Sequence, residues 1–385
     1  MRAAYVCSDR GVPVFGTKGC SLHVQEITKA FEDKSIHIDL IAAALGGECP
    51  KDLKLVDTHH LKHAKVSDRQ RREQSDIQDN NKVMQELKSL GGLDFIYERY
   101  SLWSHAGMTF GYENNIPSIL EVNAPLIEEQ KKYRGLIDEE SAITITRKCF
   151  AAASLIITVS IEVAEYVNSF PEADGKVHVL PNGVNLQRFS NVHCGSEDEH
   201  SHFTIGFVGT LKPWHGVEKL LESFALLHQS HPETRLLIVG DGPMRKELES
   251  QIRALNLVDV VKLTGAVEPS NIAHYYQKMD VGVAPYPGDI HFYFSPLKIY
   301  EYMAAGLPVV ASNVGQISDL VDDHHHGLLY SAQELSQLTE ALTYLVENPS
   351  IAHVYGQSGR LSAMKHHSWQ SRVERVLDWS GLVKG

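Results

Sequence analysis

Short runs of Val, Ile, Leu and Ala without polar alternation recur between helix-length segments along the whole chain, and no other feature narrows its folding options as much. In the first half they fall at 3–8, 37–44, 94–100, 117–123 and 155–160; in the second, at 203–209, 235–242, 260–265, 281–286 and 308–313. A strand that is apolar on both faces must be covered on both faces, which is the condition of a parallel sheet flanked by helices. Two such series in 385 residues exceed one core and suit two doubly wound α/β domains of roughly 150–200 residues each. The polar stretch SNVHCGSEDEHS at 190–201 reads as the linker between them.

Composition excludes several classes. With 43% hydrophobic and 22% charged residues the chain reads as globular, and its net charge of −12 argues against a nucleic-acid partner. Cys7, Cys20, Cys49, Cys149 and Cys194 are scattered with no CxxC pair, which suggests neither a disulfide framework nor a zinc site and fits a reducing cytoplasm. Residues 1–8 enter an apolar strand without a signal-like segment, and no run of about eighteen apolar residues occurs. The expectation is a soluble cytoplasmic protein, at most peripheral at the inner membrane face. The segment 51–82 carries Lys51, Lys54, Lys62, Lys65, Arg69, Arg71 and Arg72 beside His59, His60 and His63. It reads as an acceptor or membrane-surface loop, or as a solvated face; the interspersed Asp57, Asp68, Glu73 and Asp76 favour the solvated face.

Open α/β sheets bind ligands beyond the carboxyl ends of their strands, so the loops there carry the chemistry, and paired domains make an interdomain cleft. After the first run, GTKGCSLH places Gly16 and Gly19 before a helix with apolar Leu22, Val24, Ile27 and Phe31. Such glycines let amides approach an anion, or simply make a βα turn; the GxGxxG spacing of dinucleotide folds is missing. In the second half GTLKPWHG spans Gly209 to Gly216, with Thr210, Lys212 and His215 where cationic or donor groups reach a phosphate. Asp241 lies in the tight turn GDGP, beside a ligand or as turn chemistry. The densest constellation is FSPLKIYEYMAAGLP. Ser295 is expected as N-cap and Pro296 at the first helical position, with the amides of Leu297 and Lys298 forming an anion site. Glu301 follows among Ile299, Met303 and Ala304, where a carboxylate needs a partner: a ribose hydroxyl, or a structural cation.

In order and spacing, VGTLKPWHG, LLIVGDGP, VKLTGAV and SPLKIYEYMAAGLPVVAS resemble the donor domain of the family 4 glycosyltransferases of the GT-B fold. TKGCSLHVQEI, IYERYSLW, LEVNAPLIEEQ, IITVS and VLPNGVN are similar to the acceptor domain and hinge. The resemblance implies two Rossmann-like domains: an acceptor domain at 1–189, joined by a tail at 368–385 that crosses back to it, and a donor domain at 190–367. It implies hexosyl transfer from a nucleoside diphosphate sugar to an acceptor (glycan, lipid-linked sugar or small molecule), with retention, no cofactor and no essential metal.

Residue by residue, the resemblance makes Glu301 the second glutamate of the family's E-x7-E motif. Tyr293 stands at the first, so a group such as Asp289 or His291 is expected to replace that glutamate. Thr210 and His215 occupy the usual Arg and Lys positions, leaving Lys212 as the diphosphate partner. Gly209, Asp241 and Val267 fall in the donor-domain loops, and Asn123 stands where the family often has an active-site histidine. Without a carboxylate pair suited to double displacement, a front-face substitution is the better mechanism. Lys212, Ser295 and the two amides would then stabilise the leaving diphosphate, which takes the acceptor proton. The triple histidine 324–326 reads as a solvated turn before a metal site.

Three other readings stand beside this one. A nucleotide-sugar epimerase of the same fold would need no acceptor, and a non-catalytic nucleotide-sugar-binding protein would suit Tyr293 and Thr210. An NAD-dependent oxidoreductase is disfavoured because no acidic residue ends the second run, where AAALGG stands.

Overall fold

The computed structural model describes residues 1–63, 66–190, 192, 202–289 and 292–383. Lys65, Cys194, His291 and most of the expected linker lie outside the described residues. Two compact units are found. The first comprises Met1–Asn182, Tyr293–Ser295 and Trp369–Gly385; the second, Gly183–Phe292 and Pro296–Ser368.

Among the described residues of the first unit, β1 (Arg2–Cys7), β2 (His37–Ala42), β3 (Val56–His60), β4 (Phe95–Arg99), β5 (Ser118–Val122), β6 (Leu155–Thr158) and β7 (Val177–Val179) form one sheet. Its order is β3-β2-β1-β4-β5-β6-β7, and every pairing is parallel. The order reverses between β1 and β4, where loops diverge and ligands enter such sheets. Tyr5 stacks on Tyr97 at 5.2 Å, both are buried, and Tyr97 meets Phe31 of the helix Gly19–Asp33 edge-on at 5.4 Å. The helix Trp369–Trp379 packs on this unit through Trp369 edge-on to His23 at 4.9 Å and Trp379 stacked on His178 at 4.6 Å.

In the second unit β8 (Thr204–Val208), β9 (Arg235–Val239), β10 (Val261–Leu263), β11 (Val281–Ala284), β12 (Val309–Ser312) and β13 (Gly327–Tyr330) pair in parallel, in the order β10-β9-β8-β11-β12-β13. Here the switch lies between β8 and β11. The helix Val217–Ser230 buries Val217, Leu220, Leu221, Phe224 and Leu227, one helical stripe, against Phe207 and Ile238. Truncating a buried phenylalanine such as Phe224 to alanine costs about 3–5 kcal/mol.

The observed elements correct three expectations. β3, β7 and β13 are sheet edges: β3 and β7 are partly exposed and β13 is only four residues long, so they lack the long apolar runs of central strands. The units divide after Asn182 instead of at 189/190. Phe189 packs on Tyr276 at 5.4 Å, and Arg360 donates to the carbonyls of Val192 at 2.7 Å and Phe189 at 3.2 Å, which ties this stretch to the second unit. The basic segment 51–82 is not a simple loop: it holds β3, the helix Arg69–Gln78 and the start of the helix Asn80–Leu90. Its Lys51, Lys54, Lys62, Arg69, Arg71 and Arg72 are exposed, in keeping with the solvated face favoured by the sequence, and Lys82 pairs with Asp79 at 2.7 Å. Among the described residues no helix is long and apolar enough to cross a membrane.

Candidate functional site

In the second unit the site begins where β8 ends. Gly209 adopts a φ of +147° and donates its amide to Val239 at 2.9 Å. A Cβ on Gly240 would lie 2.0 Å from the Gly209 carbonyl oxygen, and one on Gly242 would lie 2.5 Å from that of Leu211. The GDGP turn is thus built for contact between two backbones. Asp241 is exposed and accepts from the Gly242 amide at 2.7 Å, which is turn chemistry, while Val267 is half-buried in the loop after β10. Gly216, at φ +64°, passes so close to Pro285 that a Cβ would meet its carbonyl oxygen at 1.9 Å. This glycine holds the GTLKPWHG loop against the segment leaving β11.

Within that loop His215 Nδ1 lies 2.5 Å from the Thr210 carbonyl oxygen. A carbonyl only accepts, so the ring proton is on Nδ1 and Nε2 presents a lone pair. Burial first, then the nearby Lys298, holds the imidazole pKa down at about 3. His215 is neutral and corrects the expectation of a cation or a free donor at this position. Thr210 is exposed, and Lys212 Nζ lies over the Trp214 ring, 5.4 Å from its centre.

The helix Leu297–Ala305 starts beside this loop, with Pro296 at its N-cap. Pro296, not Ser295, takes the N-cap position, contrary to expectation; the Ser295 hydroxyl accepts from the Asn182 amide at 3.1 Å, and Ser295 groups with the first unit. The first-turn amides of such a helix have no intrahelical acceptor. Tyr302 pins the helix to the sheet, its hydroxyl accepting from Val208 N at 3.0 Å and donating to the Val283 carbonyl at 3.1 Å. Glu301, half-buried, accepts from the Tyr276 hydroxyl at 2.8 Å. Lys298 is only 8% exposed; its Nζ lies 4.0 Å from the centre of the Phe207 ring and 5.0 Å from that of Tyr286. Burial pushes its ammonium down to about 7.

In the first unit a cavity of about 700 Å³ opens at the carboxyl ends of β1, β4 and β5, lined among others by Lys18, Arg99, Trp103, Asn123, Glu129 and Tyr293. Beneath it Glu121 meets His23 Nε2 at 2.7 Å and Arg99 Nη1 at 3.6 Å. Burial opposes the charge of Glu121, but His23, Arg99 and Asn123 outweigh it and hold the carboxyl at about 2. Tyr293 also belongs to this unit: its hydroxyl donates to Glu129, and its carbonyl accepts from Ser160 at 2.6 Å. The Gly16 amide is engaged by the Pro13 carbonyl at 2.8 Å, and Gly19 opens the helix Gly19–Asp33. The His23–Glu121–Arg99 group went unread in the sequence. Its one signal is Arg99 and Glu121 near the ends of strands, with His23 on a helix giving none.

Among the described residues the one close cluster of metal-ligand type is His37, Asp39 and Asp57, and Arg2 already holds both Asp39 oxygens, at 2.7 and 3.1 Å. The three adjacent histidines turn instead to local partners, His325 Nε2 lying 2.9 Å from Ser358 Oγ.

A family model described as Glycosyltransferase Family 4 matches residues 17–188, and one described as Glycosyl transferases group 1 matches residues 202–348. D-inositol 3-phosphate glycosyltransferase 2 of Catenulispora acidiphila is 22% identical, over 94% of this chain and 89% of its own. Sucrose-phosphate synthase from Thermosynechococcus elongatus superposes with a TM-score of 0.76 at 19% identity, covering 99% of both chains. The Anabaena protein HepE in complex with UDP-glucose does so at 0.70 and 18%, over the full length of both. Two Rossmann-like units with these matches make the chain a glycosyltransferase of the GT-B fold. It belongs to glycosyltransferase family 4.

Proposed function

We propose that the chain transfers a sugar, with retention, from a nucleoside diphosphate sugar held by the second unit to an acceptor held in the cavity of the first. The observation that carries this reading is the convergence, at the switch point of one sheet, of the glycine-tight loop after β8, the amide end of the helix Leu297–Ala305, and the half-buried Glu301. The UDP-glucose named for HepE supports a donor of this class. Glu301 and Tyr276 suit ribose hydroxyls; the amides of Leu297 and Lys298, with Lys212, suit the leaving diphosphate. The diphosphate then takes the acceptor proton on the face it departs from. No metal is required, so turnover persists in excess EDTA. Thermal shift with UDP, GDP, ADP and TDP sugars tests the donor class, since ligand at a hundred times its Kd adds about 2.7 kcal/mol. Stabilisation by none of the four at millimolar concentration would sink the reading.

A further inference from the structure

A cation removed from water needs a counter-charge or hydrogen-bond acceptors, and long charged side chains normally carry their heads to the surface. Lys298 does neither. Its Nζ has no hydrogen-bond partner among the described residues, although the residue is only 8% exposed. The carboxylate that acts on it, Glu301 one helical turn on, is already hydrogen-bonded to Tyr276. Phe207 and Tyr286 supply ring faces at 4.0 and 5.0 Å, an attraction well short of replacing the lost hydration.

The side chain is aimed at backbone. A Cβ built on Gly209 would stand 3.4 Å from Nζ, so a residue without a side chain at this φ of +147° leaves the ammonium facing the loop after β8. That is also the amide end of its own helix of nine residues, where an anion is favoured. The other basic groups of the loop are differently disposed. His215 is a neutral ring with its proton committed to Thr210, and Lys212 lies over Trp214.

We infer that the Lys298 ammonium is the buried cation that receives the diphosphate of the donor. The inference rests on the donor reading above. Bound diphosphate supplies the missing acceptors and counter-charge together, so a group that burdens the free fold becomes a binding group in the complex.

Isothermal titration tests it with whichever of UDP, GDP, ADP and TDP binds the wild-type protein most tightly, and with the matching nucleoside. Lys298→Met keeps the stem and removes the charge. The expected result is a loss of about tenfold or more in diphosphate affinity, with nucleoside affinity unchanged and thermal stability held or raised. Unchanged diphosphate affinity, or an equal loss for both ligands, overturns the inference while leaving the donor reading intact. Binding of none of the four diphosphates by the wild type overturns both. Should Lys298→Met not fold, the wild type answers alone: diphosphate binding at pH 8 must take up a proton, read from the buffer dependence of the heat. No uptake overturns the assignment.

Discussion

The hydroxyl of Tyr293 donates to Glu129, a residue 164 positions earlier in the chain. Tyr293, which the sequence resemblance sets at the family's first glutamate, thus holds a carboxylate from the short helix Leu126–Glu129. Burial first, then Glu129, keeps the phenol far from ionising, so Tyr293 acts as the donor of a fixed hydrogen bond. Asp289, by contrast, is exposed.

If the pair orients the transferred sugar or the acceptor, Tyr293→Phe and Glu129→Gln should each lower kcat by about ten- to a hundredfold. Residues acting as one unit are non-additive, and the double variant should lose little more than the worse single one. Steady-state kinetics on the three variants decide. Additive losses would mean independent roles.

Glu301 accepts from the Tyr276 hydroxyl through one carboxylate oxygen, and the proposed function sets it against a ribose hydroxyl of the donor. Glu301→Gln should weaken nucleoside diphosphate binding by about 1.5–3 kcal/mol, the usual worth of a hydrogen bond to a charged group. Tyr276→Phe, which removes only the orienting bond, should cost less. Unchanged affinity by calorimetry in a folded Glu301→Gln variant would remove Glu301 from the donor site.

Lys298 predicts a pH dependence with a definite sign. Its folded-state pKa of about 7 lies below the ordinary 10.5, so the folded protein binds fewer protons than the unfolded chain between these values. Stability from this group therefore rises with pH across that window and is lost as pH falls from 10.5 toward 7. Diphosphate binding needs the charged form and runs the other way, weakening by up to about tenfold per unit as pH climbs above 7. The groups facing Lys298 do not mimic this: His215 stays neutral, and burial puts Tyr286 well above the window. Kd measured from pH 6.5 to 9 should slope for the wild type and stay flat for Lys298→Met.

The unequal legibility of the molecule has physical causes. Central strands such as VVAS of β12 are buried on both faces and declare themselves as apolar runs; an edge strand such as VDTHH of β3 needs no such run. The glycines of the β8 loop are legible because tight turns have local chemistry. Ser295 lies one residue before the cap, and the bond its hydroxyl accepts from the Asn182 amide, 113 residues away, leaves no local signature. The same holds for Tyr293 with Glu129 and for His23 with Glu121: long-range polar pairs leave no periodicity.

In the proposed function Lys212 is the group that acts late in the reaction. It is half-buried over Trp214 on the loop after β8, while the neighbouring His215 carries no charge at neutral pH. An ammonium on this loop gains most where charge develops on the departing diphosphate, so its loss should appear in kcat before binding. Lys212→Ala should lower kcat by roughly a hundredfold, with the diphosphate Kd changed by less than about threefold. Lys212→Arg should recover only part, because a planar guanidinium places its donors differently. Lys298→Met should show the reverse split, a large loss in affinity. Near-normal kcat for Lys212→Ala, together with a collapse for His215→Ala, would move the leaving-group role to the histidine, which would then have to gain a proton in the complex.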